Sequence, residues 1–215
     1  MIGTEWPLIK SVSNALKGPL SYLRKKLWPP KIGYQLAPSN LLEVVRPYAY
    51  KGKIKELLGE PHHKAAGVES YRFADALLQI MYEDDEDIRS VTFVGINPWW
   101  PHRFRIHPLS LTLNRSTFAD GCGSDALELE KDQSSKFTLY WKTEYFGFPG
   151  NYLHFSFGLL EAATWPPTTW DTRPQPDIAG TDMKWILRNP SSVRFNAIAI
   201  TKKEEGFPFI WSAFQ

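Results

Sequence analysis

"VESYRFADALLQIMYEDDEDIRSVTFV", residues 68–94, is the stretch on which the fold class turns. It contains three runs, "VESYRF", "ALLQIMY" and "IRSVTFV", each rich in β-branched, aromatic or aliphatic residues. Runs of this length and composition, separated by turn residues, read as strands. Ala74 and Asp75 join the first pair as a tight turn. The acidic run "EDDED", residues 83–87, joins the second pair. It lacks the alternating ligands, central Gly and terminal Glu of a calcium loop. Its carboxylates solvate a hairpin tip without disturbing the strands on either side, so it reads as a wet connection. Just upstream, "KGKIKELLGEP", residues 51–61, reads as a short helix stopped by Gly59 and Pro61.

The same order recurs downstream. "LSLTLNRSTFADGCG" (109–123) reads as a helix with a Gly exit, "FTLYWKTEYF" (137–146) as a strand and "GFPGN" (147–151) as a turn. "YLHFSFGLL" (152–160) is the next strand, with Leu153, Phe155, Phe157 and Leu159 on one face, and "VRFNAIAIT" (193–201) is the third. Between these last two lies an insertion at 161–192, carrying "TWPPTTWDTRPQPD" and a short helix over "TDMKWILRN". Repetition of a whole unit reframes the fold. The expectation is an α+β protein built from two tandem modules, each a helix plus a three-stranded antiparallel meander. The modules occupy residues 51–108 and 109–215, the second ending in an aromatic tail, "GFPFIWSAFQ", that packs on the body.

An N-terminal helical arm, residues 1–31, precedes them. Trp6, Ile9, Val12, Leu16, Leu20, Leu23 and Leu27 recur at helical spacing, with Gly18–Pro19 as a kink. The opposite face is basic, and the arm carries a net charge of +5, so the rest of the chain is about −3 against a total of +2. Residues 32–50, rich in Pro, read as a linker. A basic amphipathic helix suits docking on the protein's own body or, through residues 6–28, on a membrane surface. The charge falls far short of the basic stripe typical of nucleic-acid binders. The N-terminus has no apolar stretch of signal-peptide length, and no run is long enough for a transmembrane helix. The expected location is cytoplasmic or peripheral at the membrane. A single cysteine, Cys122, precludes an intrachain disulfide and a cysteine-based zinc site.

The first unit, "KIKELLGEP" followed by "YRF", "LLQIMYEDD" and "IRSVTFV", resembles the helix–sheet module of the SmpA/OmlA (BamE-like) lipoproteins and of the beta-lactamase inhibitor proteins. The second unit, with "NRSTFADG", is similar to the second module of tandem members. The chain has neither a lipobox cysteine nor the cysteine pairs of the inhibitors, so envelope location and lactamase inhibition do not carry over. The resemblance implies a non-catalytic bacterial protein-binding scaffold.

No nucleotide-binding, nucleophile-elbow or metalloprotease motif is present. Adjacent His62 and His63 point opposite ways on an extended chain, which does not suit a shared metal. No metal or other cofactor is expected. Aromatic loops carry the functional expectation. "NPWWPHRF" and "TWPPTTWD" place Trp99, Trp100, Arg103, Trp165 and Trp170 among prolines. Trp and Arg dominate the energetics of protein interfaces. These five residues are the expected contact surface for a partner protein. A hydrolase using His102 or His107 with a nearby carboxylate is the alternative from another class.

Overall fold

In the computed structural model, the described residues are 35–83, 87–96, 104–148, 151–161, 172–179 and 182–214. The N-terminal arm lies outside them. Among the described residues, ten strands form one sheet, β1 (His63–Ala65), β2 (Val68–Arg72), β3 (Ala76–Tyr82), β4 (Ile88–Gly95), β7 (Leu127–Gln133), β8 (Thr138–Phe148), β9 (Asn151–Leu160), β10 (Gln175–Ala179), β11 (Asp182–Leu187) and β12 (Ala197–Thr201). Their order is β1-β2-β3-β4-β12-β9-β8-β7-β11-β10. Every neighbouring pair is antiparallel. A separate hairpin pairs β5 (Arg105–Ile106) with β6 (Leu111–Thr112). The α-helices among the described residues are short: α1 (Leu41–Val44), α2 (Lys51–Leu58) and α3 (Phe118–Cys122).

This corrects the expected α+β architecture of two helix–meander modules. Each of the six strands read from the sequence has a counterpart, but β4 and β12 pair along Ala197–Thr201, so both meanders belong to one continuous sheet. Four segments not read as strands widen it, β1 at one edge being the first. "LELEKDQ" is β7, "QPDIA" is β10 and "DMKWIL" is β11. The last was expected as a helix. Its pairing partners are β7 on one side and β10 on the other. The described residues are more nearly all β than α+β.

Local chemistry explains the short helices. Gly59 ends α2 at a positive φ of 72°, a conformation that favours glycine. The expected helix over 109–123 breaks into β6 and α3. Thr117 starts α3 with a capping box: its hydroxyl accepts from the Asp120 amide, and the Asp120 carboxylate accepts from the Thr117 amide at 2.7 Å.

Strand alternation creates two cores. On one face, Leu78, Ile80, Val91, Phe93, Phe155, Phe157, Ile198 and Ile200 meet Leu41, Leu42, Ile54, Phe104, Phe118 and Phe195 from the helices and loops. Each such side chain contributes roughly 1.5–3 kcal/mol by burial. The stretch around α1, in the Pro-rich region 32–50, therefore belongs to the core. On the other face, Leu77, Val94, Leu139, Trp141, Ala197 and Ala199 are covered by the C-terminal segment through Phe207 and Phe214.

That segment follows a transverse row on the sheet. Ser70, Gln79, Thr92, Ala199, Ser156 and Thr143 are successive cross-strand partners from β2 to β8. Ser156 donates to the Gly206 carbonyl at 3.2 Å and Thr92 to the Pro208 carbonyl at 2.6 Å. Gln79 accepts from the Ile210 amide at 2.7 Å and donates to its carbonyl at 2.8 Å. Arg72 donates to the Phe214 carbonyl at 2.8 Å. Side chains of the sheet thus satisfy the backbone of a segment that has no strand partner among the described residues. Gly158 leaves the room that Phe207 needs, since a Cβ there would come within 2.7 Å of its ring.

The acidic run behaves as a hairpin tip at its described ends. The Glu83 amide donates to the Asp87 carbonyl at 2.9 Å. Lys203 pairs with Glu83 at 2.7 Å and Lys202 with Asp87 at 3.6 Å. Residues 84–86 lie outside the described residues.

Candidate interaction site

The five expected contact residues, Trp99, Trp100, Arg103, Trp165 and Trp170, all lie outside the described residues, in segments 97–103 and 162–171. His102 and residues 6–28 lie outside them as well. What the structure describes is where the two tryptophan segments are rooted.

β4 and β9 flank β12, and both run antiparallel to it. They therefore point the same way, and both segments leave from the same end of the sheet. The roots are two strand spacings apart, about 10 Å. Asn196, just ahead of β12, ties them together. Its carbonyl accepts from the Gly95 amide at 2.9 Å. Its side-chain amide donates to the Leu160 carbonyl at 2.9 Å and accepts from the Leu160 amide at 2.8 Å. Asn196 is buried at 3% exposure, so these bonds are made out of water and are costly to lose.

Each root is further braced. The Ile96 amide donates to the Asp75 carbonyl at 3.0 Å, and Asp75 accepts from the Ala37 amide at 2.8 Å. Where the first segment returns, Phe104 is buried edge-on against Phe93, with ring centroids 4.6 Å apart. The second segment is closed at its base by an ion pair between Glu161 and Arg173 at 2.6 Å. Hydrogen bonding to Glu161 holds the Arg173 pKa above its ordinary value. Burial pushes the nearby Tyr140 phenol up, Glu161 adding to the effect and Arg173 opposing it. Lys131 Nζ stands 3.7 Å above the Trp185 ring. Burial lowers its pKa, with Arg173 adding to the effect. Lys131, Tyr140 and Trp185 carry no signal in the sequence, because a lysine beside aromatics across three strands leaves no local pattern.

Elsewhere, the described histidines play supporting parts. His62 Nδ1 accepts from the Arg72 amide at 3.2 Å. His154 lies against Tyr145, itself stacked on Tyr152, with centroids 4.8 Å apart in both pairs. His107 lines a polar pocket that also includes Glu43. Among the described residues, no group of three or more His, Cys, Asp or Glu is placed to hold a metal ion. Among them, too, no helix is long and apolar enough to cross a membrane.

Set beside known proteins, the chain matches no family model and no curated protein. Among solved structures it is similar to a DUF4309 family protein, YjgB, from Bacillus subtilis. The TM-score is 0.36 and the identity 11%, over 77% of this chain and 98% of that one.

Proposed function

We propose that this chain is a non-catalytic protein-binding scaffold, in which Trp99, Trp100, Arg103, Trp165 and Trp170 contact a partner protein. The observation that supports the reading is the shared root of the two tryptophan segments. β4 and β9, from which they depart, end on either side of β12, and Asn196 bonds to the last residue of each strand. Recognition residues are commonly carried on loops that a rigid scaffold positions. Trp and Arg supply the large desolvated contacts on which such interfaces depend.

The test is affinity capture from native cells with the full chain and with a variant in which all four tryptophans are Ala. The proposal expects a captured protein that the folded variant loses. The same captured proteins with both baits would contradict it.

A further inference from the structure

A pocket of about 360 Å³ lies between α1 and the β5–β6 hairpin, apart from the site described above. We infer that it is a binding site for the phosphate group of a small phosphomonoester, held by Arg105 and Arg115. Two guanidiniums and an imidazole, Arg105, Arg115 and His107, line it with the hydroxyls of Ser110 and Ser116, against one carboxylate, Glu43. The volume falls in the range of small-molecule sites, roughly 300–1,000 Å³. Guanidinium forks match the spacing of phosphate oxygens, and the hydroxyls supply further donors.

The backbone beneath these side chains is fixed. Arg105 sits opposite Thr112 in the hairpin, and its chain neighbours Phe104 and Ile106 are buried. The turn that carries Arg115 is closed twice, by the Thr112 amide on Ser116 Oγ at 3.0 Å and by the Ser116 amide on the Thr112 carbonyl at 2.8 Å. Leu113 anchors that turn in the core at 1% exposure. Beside it, the Asn114 amide donates to the Phe195 carbonyl at 3.0 Å. Among the described residues, Arg105 has no ion-pair or hydrogen-bond partner for its guanidinium. Glu43 is an acceptor, which suits a ligand whose alcohol part carries hydroxyls rather than bare phosphate.

The experiment is an NMR titration of the full chain with sodium phosphate and, separately, glycerol 3-phosphate, at an ionic strength held constant with chloride. The expected result is saturable shifts confined to amides of residues 105–116, with glycerol 3-phosphate binding severalfold tighter than phosphate. Arg105→Ala is expected to weaken binding about tenfold or more. Arg105→Lys, which keeps the charge and loses the fork, falls between. Absence of saturable shifts, or unchanged affinity in Arg105→Ala, would overturn the site. Equal affinity for the two ligands would overturn its assignment to a phosphomonoester.

Discussion

Asn196 grips Leu160 with both ends of its side-chain amide, donating at 2.9 Å and accepting at 2.8 Å. The residue at the head of the central strand thereby fixes the last residue of β9, from which the second tryptophan segment departs. Leu160 is fully buried. Asn196→Ala would strand its amide and carbonyl without partners. The expected cost is about 2–6 kcal/mol, taking each unsatisfied group at the usual penalty. Urea denaturation measures it. A loss below about 1 kcal/mol would mean that the bonds are readily replaced.

Gly158 and Phe207 form a second coupled pair. Gly158→Ala would drive a methyl group into the Phe207 ring and is expected to destabilise by about 1–3 kcal/mol. In a Phe207→Ala background the same substitution should cost far less. A double-mutant cycle reads the coupling directly. Additive effects would show that the C-terminal segment does not rest on Gly158.

Gln79 holds the backbone of the same segment from the sheet. With Gln79→Ala, the Ile210 amide loses its acceptor at 2.7 Å. Hydrogen exchange at Ile210 should speed up about tenfold or more. The Phe93 and Ile198 amides in the central strands should keep their protection. Unchanged exchange at Ile210 would remove Gln79 from this role.

Cys122 packs partly buried against the first core, and burial, with Glu144 adding to it, pushes its thiol up to about 12. Lys142 opposes the shift. The raised pKa means that the thiolate is scarce near neutral pH. Alkylation by iodoacetamide at pH 8 should therefore run on the order of a thousandfold slower than for a free cysteine. The sign for stability follows. The folded state keeps its proton where the unfolded thiol has lost it, so this contribution is present below about pH 8.5 and is lost as pH rises toward 12. Rapid alkylation of the folded chain would contradict the buried environment.

The sequence shows its strands more readily than its architecture. Alternation of Leu153, Phe155, Phe157 and Leu159 marks β9 because one face must meet the core. The exit at Gly59 marks the end of α2 because glycine tolerates a positive φ. The order of strands is different in kind. Pairing of β4 with β12 joins residues some hundred positions apart, and nothing local encodes it. β7 has no legible strand pattern because its two buried residues, Leu127 and Leu129, sit among charges. β11 is ambiguous because a Trp-Ile-Leu run fits a helix as well as a strand, and only its neighbours decide. The tryptophans of 97–103 and 162–171 were legible as candidates. Their common root was not, because it depends on β4 and β9 flanking the same strand.

The central claim is that the two tryptophan segments serve one surface. It is tested most directly by measuring the affinity of a captured partner for two separate variants, Trp99→Ala with Trp100→Ala, and Trp165→Ala with Trp170→Ala. The account predicts that each folded variant loses about thirtyfold or more in affinity for the same partner, the scale of a lost interface hot spot. Full affinity in either variant would contradict it.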